Sequence, residues 1–204
     1  TLSLKKSLSE GVLVVAETSV AVAELERLKS LIKEKDRTAF KEQISTQLAL
    51  YKGDFQLWYL KAYEAYLFKE YKEAYEAIKQ CLTLKQDSVA ALELQAKLSL
   101  RMKKYHEALA AYGQLLNLDG TNYKYHQSLA LVFKFLGFKS AAEKSLIKAH
   151  ELNKMSKLVV YNLCILLVKD KERKAEAQKW YEKYLELGGK KISQLERFFK
   201  EDRK

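Results

Sequence analysis

Between residues 54 and 151 the apolar positions fall into short helical stripes, and the stripes themselves recur. Ala74, Ala108 and Ala142 stand 34 residues apart, and so do Ala62, Ala96 and Ala130. Trp58, Leu92 and His126 share a third position of the same frame, Tyr71 and Tyr105 a fourth. Each unit reads as two amphipathic helices. The first unit carries Trp58, Ala62, Ala65 and Tyr66 inward, then Ala74, Ile78, Cys81 and Leu82 after the polar turn Lys69-Glu70. Such a hairpin cannot bury both faces alone, so neighbours must stack, with small residues where backbones approach and large ones between. The pattern therefore predicts an all-α chain built as a solenoid of helical hairpins, closed by N- and C-terminal capping helices.

The frame sets the predicted organisation. Residues 1–54 form an N-terminal helical segment with a degenerate hairpin, in which Phe40, Ile44, Leu48 and Tyr51 make one stripe after the turn at Lys35-Asp36. Residues 55–189 form the array, in units 55–88, 89–122, 123–156 and 157–189. The last unit has a turn one residue longer, because Ala177 and Tyr181 sit 35 residues after Ala142 and Leu146. Residues 190–204 supply a short helix with Leu195, Phe198 and Phe199 facing back, and a charged tail. Ahead of the array the segment from Gly11 to Val22 is unusually apolar, which suggests a capping helix or, through Val14, Val15 and Val20, a second interface.

Composition narrows the picture further. The chain has 204 residues, 48% hydrophobic and 31% charged, with seven glycines and no proline, a balance that disfavours β-rich folds with their Pro and Gly punctuation. No run of eighteen apolar residues occurs, so no membrane-spanning helix is expected. The first residue is Thr1, which suits a trimmed or mature form; a signal peptide or anchor removed upstream would leave no trace, and the compartment is left open. Cys81 and Cys164 lie in different repeats at compact helix positions and are expected to be small buried hydrophobes.

These residues resemble the tetratricopeptide repeat (TPR), whose pattern puts a large residue, a small residue and Tyr in the first helix and Ala, a large residue and Ala in the second. Trp58, Ala62, Tyr66, Tyr71, Ala74 and Cys81 match in one unit; Leu92, Ala96, Tyr105, Ala108, Tyr112 and Leu115 match in the next. The proline that the family favours after each second helix is replaced by Gln86, Gly120 and Lys154, and Lys61 and Gln95 stand where Leu is usual. The resemblance implies a right-handed α-α superhelical solenoid with a concave groove lined by first helices. Carried over by offset, it holds Tyr59 and Tyr63, then Lys97 with Arg101 at its edge, then Lys124, Gln127 and Lys134, then Tyr161 and Ile165. It implies a non-catalytic protein–protein interaction scaffold or adaptor, taking a protein or peptide partner with acidic and apolar residues. The alternative is a chaperone or assembly subunit of a secretion, envelope or organelle complex, docking through the apolar N-terminal helix. The clamp by which some family members hold acidic chaperone C-termini is not matched: its positions carry Tyr59, Tyr63, Leu94, Lys124 and Ser128, and only the lysine agrees.

Charge adds one asymmetry. Residues 1–122 hold 18 Lys/Arg against 16 Asp/Glu, while residues 123–204 hold 19 against 10. The basic half is interspersed with Glu172, Glu176, Glu182 and Glu186, which reads as solvated helix faces, then as a surface for an acidic protein, and only after that as an anionic membrane contact. Nucleic acid, which wants basic residues with stacking aromatics on one face, is disfavoured. His106, His126 and His150 have no ligand spacing, there is no CxxC, phosphate-cradling glycine loop or nucleophile elbow, and neither a metal nor a cofactor is expected.

Overall fold

The computed structural model describes residues 20–200, which form eleven α-helices and no strand. They divide into two compact units, residues 1–104 and 105–204. The first holds α1 (Val22–Glu34), α2 (Arg37–Leu50), α3 (Phe55–Leu67), α4 (Tyr71–Leu84) and α5 (Val89–Arg101). The second holds α6 (Tyr105–Leu118), α7 (Tyr123–Phe135), α8 (Lys139–Leu152), α9 (Lys157–Leu167), α10 (Lys174–Glu186) and α11 (Ser193–Lys200), with a 3₁₀ turn at Lys171–Arg173 before α10.

The 34-residue period reappears in the backbone. Lys35, Lys69, Lys103 and Gly137 all take the left-handed conformation, at φ of 62, 63, 59 and 83°. Each ends a helix in the same way. The amide of the next residue reaches back five positions: Asp36 to Leu31, Glu70 to Ala65, Lys104 to Ser99 and Phe138 to Phe133, at 2.8 to 3.0 Å. These bonds satisfy carbonyls that a helix end would otherwise leave orphaned, and they reverse the chain within three residues. The helix that follows such a turn at α2 is capped by Asp36, whose side chain accepts from the Ala39 amide. Asp54, Ser88 and Asn122, again one period apart, cap α3, α5 and α7 through their side chains.

Residues 1–19 lie outside the described part, and with them Val14, Val15 and most of the apolar Gly11–Val22 segment. The hairpin ahead of the array is made by α1 and α2. Its turn sits one period before that at Lys69, and Leu28 and Phe40, both buried, occupy the places of Ala62 and Ala74. Its core joins Val20, Leu25, Leu28, Phe40, Ile44 and Leu48 to Leu57 and Leu60 of α3. The next core layer is the stacked-alanine one: Ala62, Ala65, Ala74, Ala77 and Ala91 are buried around Ile78, Cys81 and Leu98. In the second unit Ala130, Ala142 and Ala149 play that part, packed against Val159 and Leu163. Ala177 and Tyr181 of α10 close against Leu195 and Phe199 of α11, the expected C-terminal cap.

Two ion-pair clusters pin hairpins together. Arg37, the first residue of α2, donates Nε to Glu64 of α3 at 2.9 Å, donates a second N–H to Glu70, and lays its guanidinium 4.5 Å from the Phe68 ring centre. Glu64 is almost completely buried, so Arg37 is its counter-ion in a place where an unpaired carboxylate would be costly. In the second unit Arg173 makes a two-pronged contact with Glu143 of α8, at 2.7 and 2.6 Å.

Both cysteines are buried free thiols, as the spacing predicts, and burial pushes each up to about 11. They are inert packing groups rather than nucleophiles.

Candidate functional site

The first helix of each hairpin presents one face that no second helix covers. In the first unit that face is aromatic on α3. Tyr59 and Tyr63, one turn apart, stack with ring centres 6.1 Å apart and planes 13° from parallel. Tyr59 is half-buried against the core, while Tyr63 keeps 37% of its surface exposed. Burial, and then the neighbouring Tyr63 and Glu93, push the Tyr59 hydroxyl up, so it stays a protonated donor across the physiological range. On α5, Lys97 is exposed and lies 3.6 Å from Glu93 one turn earlier, and Arg101 is exposed at the last turn. Lys97 is thus partly neutralised by its own helix, a point the sequence offset alone does not show.

In the second unit the corresponding face is more basic and better enclosed. Gln127, Leu131 and Lys134 of α7 face Asn162, Ile165 and Leu166 of α9 across a small hollow of about 40 Å³. Its floor is apolar, made by Ala130, Ala142 and Leu146. Three residues singled out by the repeat offset, Gln127, Lys134 and Ile165, therefore converge on one concavity. Asn162 and Leu131 complete it; Leu131 is a groove position by the same offset, whereas Asn162 lies off the predicted stripe. Lys124 is exposed one period-turn earlier on α7. Tyr161 is half-buried, with its ring 5.5 Å from that of Tyr184 on α10, so it is held by a neighbour rather than left to swing.

Val20, grouped with Val14 and Val15 as a second interface, is covered by its own chain. It is only 6% exposed, sits in the core of α1–α3, and donates its amide to the buried Asp54 carboxylate at 2.9 Å. The same carboxylate caps α3 through Gln56. A residue so engaged offers no docking surface.

His126 is explained by its repeat position. Its Nε2 lies 3.1 Å from the Gly120 carbonyl oxygen, six residues back, where Trp58 donates Nε1 to the Lys52 carbonyl at 2.9 Å. The imidazole stands in for an indole as a helix-entry brace. Lys61, in a place where leucine is usual, folds its stem along the surface, with Nζ 5.7 Å from the Trp58 ring centre and 3.9 Å from Glu73. Among the described residues no three His, Cys, Asp or Glu side chains gather as metal ligands would, and no helix is long and apolar enough to cross a membrane.

No family model matches the sequence, and no curated protein matches it. Solved structures do. MamA superimposes with a TM-score of 0.74 at 14% identity, over 83% of this chain and 96% of that one. YrrB, described as a TPR protein with an unusual peptide-binding site, gives 0.73 at 13% identity over 88% and 91%. PilF of Pseudomonas aeruginosa gives 0.68 at 18% identity over 83% and 77%. This is the tetratricopeptide-repeat fold. The TPR architecture accounts for the spacing of the alanines, the repeated left-handed turn and the uncovered first-helix faces together. At these identities the likeness carries the fold, and the side chains of the faces are this chain's own.

Proposed function

We propose that this TPR chain is a non-catalytic scaffold that binds a peptide segment of a partner protein on its first-helix faces. The observation that carries the reading is the convergence of Gln127, Lys134 and Ile165 on one apolar-floored hollow, ringed by groups able to hydrogen-bond an extended backbone. An apolar side chain of the partner seats between Leu131 and Ile165, Gln127 and Asn162 hold backbone amides, and Lys134 and Lys124 attract flanking carboxylates. In the first unit the stacked pair Tyr59–Tyr63 provides rigid area with little rotamer entropy to lose, plus two hydroxyls, with Lys97 and Arg101 supplying charge. A solved protein of the same fold is itself described as having a peptide-binding site, which supports the class of ligand.

Titration of labelled peptides recovered by display on the full chain tests this. Saturable binding is expected: peptides held at the Ile165 hollow are weakened about tenfold or more by Lys134→Glu, whose thermal midpoint is unchanged, and peptides held on α3 are weakened likewise by Tyr59→Ala/Tyr63→Ala. Peptide affinity indifferent to both variants would overturn the reading.

A further inference from the structure

A second depression adjoins the hollow. Leu166, one wall of the hollow, is also a wall of this larger depression of about 230 Å³, where Leu167, Lys169, Asp170 and Lys171 face Lys139 and Glu143. The charges there are unequally committed. Arg173, at its rim, is held by Glu143 and by Glu176, to which it donates Nε at 2.9 Å. Asp170 is occupied in accepting the Glu172 amide. Lys139, Lys169 and Lys171 are exposed and make no ion pair among the described residues. Glu143 is neutralised by Arg173, and Lys139, Lys169 and Lys171 outnumber the remaining lining carboxylate, Asp170, so the concavity carries a net positive charge.

The backbone shows how this depression arises. After α1, α3, α5 and α7 the chain turns through a left-handed residue, and the next in the series would be Lys171. Instead α9 stops at Leu167 and a 3₁₀ turn takes up the extra residue, with Lys171 as its first position. The insertion spreads Lys169 and Lys171 along a longer turn instead of folding one of them beneath it. The turn that departs from the repeat thus carries two lysines, Lys169 and Lys171, on the rim of this depression.

We infer that the partner segment is bipartite: an apolar side chain seated in the Ile165 hollow, followed beyond Leu166 by acidic residues held by Lys139, Lys169 and Lys171. This rests on the peptide-binding reading above and adds to it the order and chemistry of the bound segment. The two depressions share Leu166 as a wall, which sets them next to each other.

The test is selection of a random phage-displayed peptide library against the full chain and against Lys169→Glu/Lys171→Glu, whose fold is checked by circular dichroism. Peptides enriched on the unaltered chain should pair an aliphatic or aromatic anchor with Asp or Glu on one side. On the double variant the anchor should persist and the acidic flank should vanish. Synthetic copies of the enriched peptides should lose at least about tenfold in affinity on the double variant, and Glu→Gln copies should lose nothing further. Anchored peptides with no acidic flank on the unaltered chain would overturn this inference and leave the groove reading standing. An acidic flank that survives on the double variant would remove these lysines from the interaction. No enrichment on either protein would bring down both readings.

Discussion

A lysine in the left-handed region pays a steric cost that glycine avoids, and this chain uses lysine there three times. Lys103 shows φ of 59° at the end of α5, and its amide bonds the Leu100 carbonyl at 3.2 Å. Lys103→Gly should raise stability by about 0.5–1 kcal/mol, since the relief of strain exceeds the added freedom of the unfolded chain. Thermal unfolding monitored by circular dichroism reads this directly; a lowered midpoint would show that the lysine side chain contributes more than its backbone costs. Two other residues contribute to the pH response. The Arg173 guanidinium holds the Glu143 carboxyl below the usual carboxylate range, so the folded state binds this proton less readily than the unfolded chain does. That contribution is complete above about pH 4.3 and is lost as pH falls through the lower folded value. His150 is depressed too, by burial first and then by Lys183 and Lys154, while its ring meets Trp180 edge-on at 5.1 Å. Neutral His150 suits the fold, so its share of stability is complete above about pH 6.5 and declines below. Denaturation midpoints measured across pH should show two descending steps, the upper one abolished by His150→Phe and the lower one reduced by Glu143→Gln.

At the scale of elements, helices that carry alanine at the stacking positions were legible because stacking demands small residues at fixed offsets. Ala74 is fully buried between α3 and α4, so Ala74→Leu should cost about 1–3 kcal/mol through overpacking, seen as a lower midpoint with helix content retained. The α1–α2 hairpin was read as degenerate for the same reason turned around. Leu28 and Phe40 fill the alanine positions, so the small-residue signature is missing, although the turn at Lys35 keeps the period. Its tie to the next hairpin was not legible at all. Arg37, Glu64 and Glu70 are 27 and 33 residues apart, an interval that looks like any other scatter of surface charge until the fold brings them together. Arg37→Ala should therefore lower the unfolding midpoint more than Lys41→Ala, whose Nζ stands 3.5 Å from the exposed Glu70 and can leave it to water. On the candidate site, the offset found Gln127, Lys134 and Ile165, because groove positions recur with the period. It could not find the depression beside Leu166, which exists only where the period is broken.

Within each of the two units, the described helices touch chiefly the next helix along the chain or the one after it. Stability in such an array is close to a sum of local terms and nearest-neighbour contacts, so damage should stay near its origin. Ala74→Leu offers a direct way to see this by hydrogen exchange. Amides of α3 and α4 should lose protection first, and those of α5, which shares their core through Ala91, Leu94 and Leu98, should follow. Amides of α9 and α10, whose core is Cys164, Leu167, Ala177 and Tyr181 closed by Leu195 and Phe199, should exchange as they do in the unaltered chain. Uniform loss of protection from α1 to α11 would mean a single cooperative core instead. The same locality bears on function. Binding at the Ile165 hollow should survive Ala74→Leu unchanged in affinity, because no residue of that hollow belongs to the layer that the leucine disturbs.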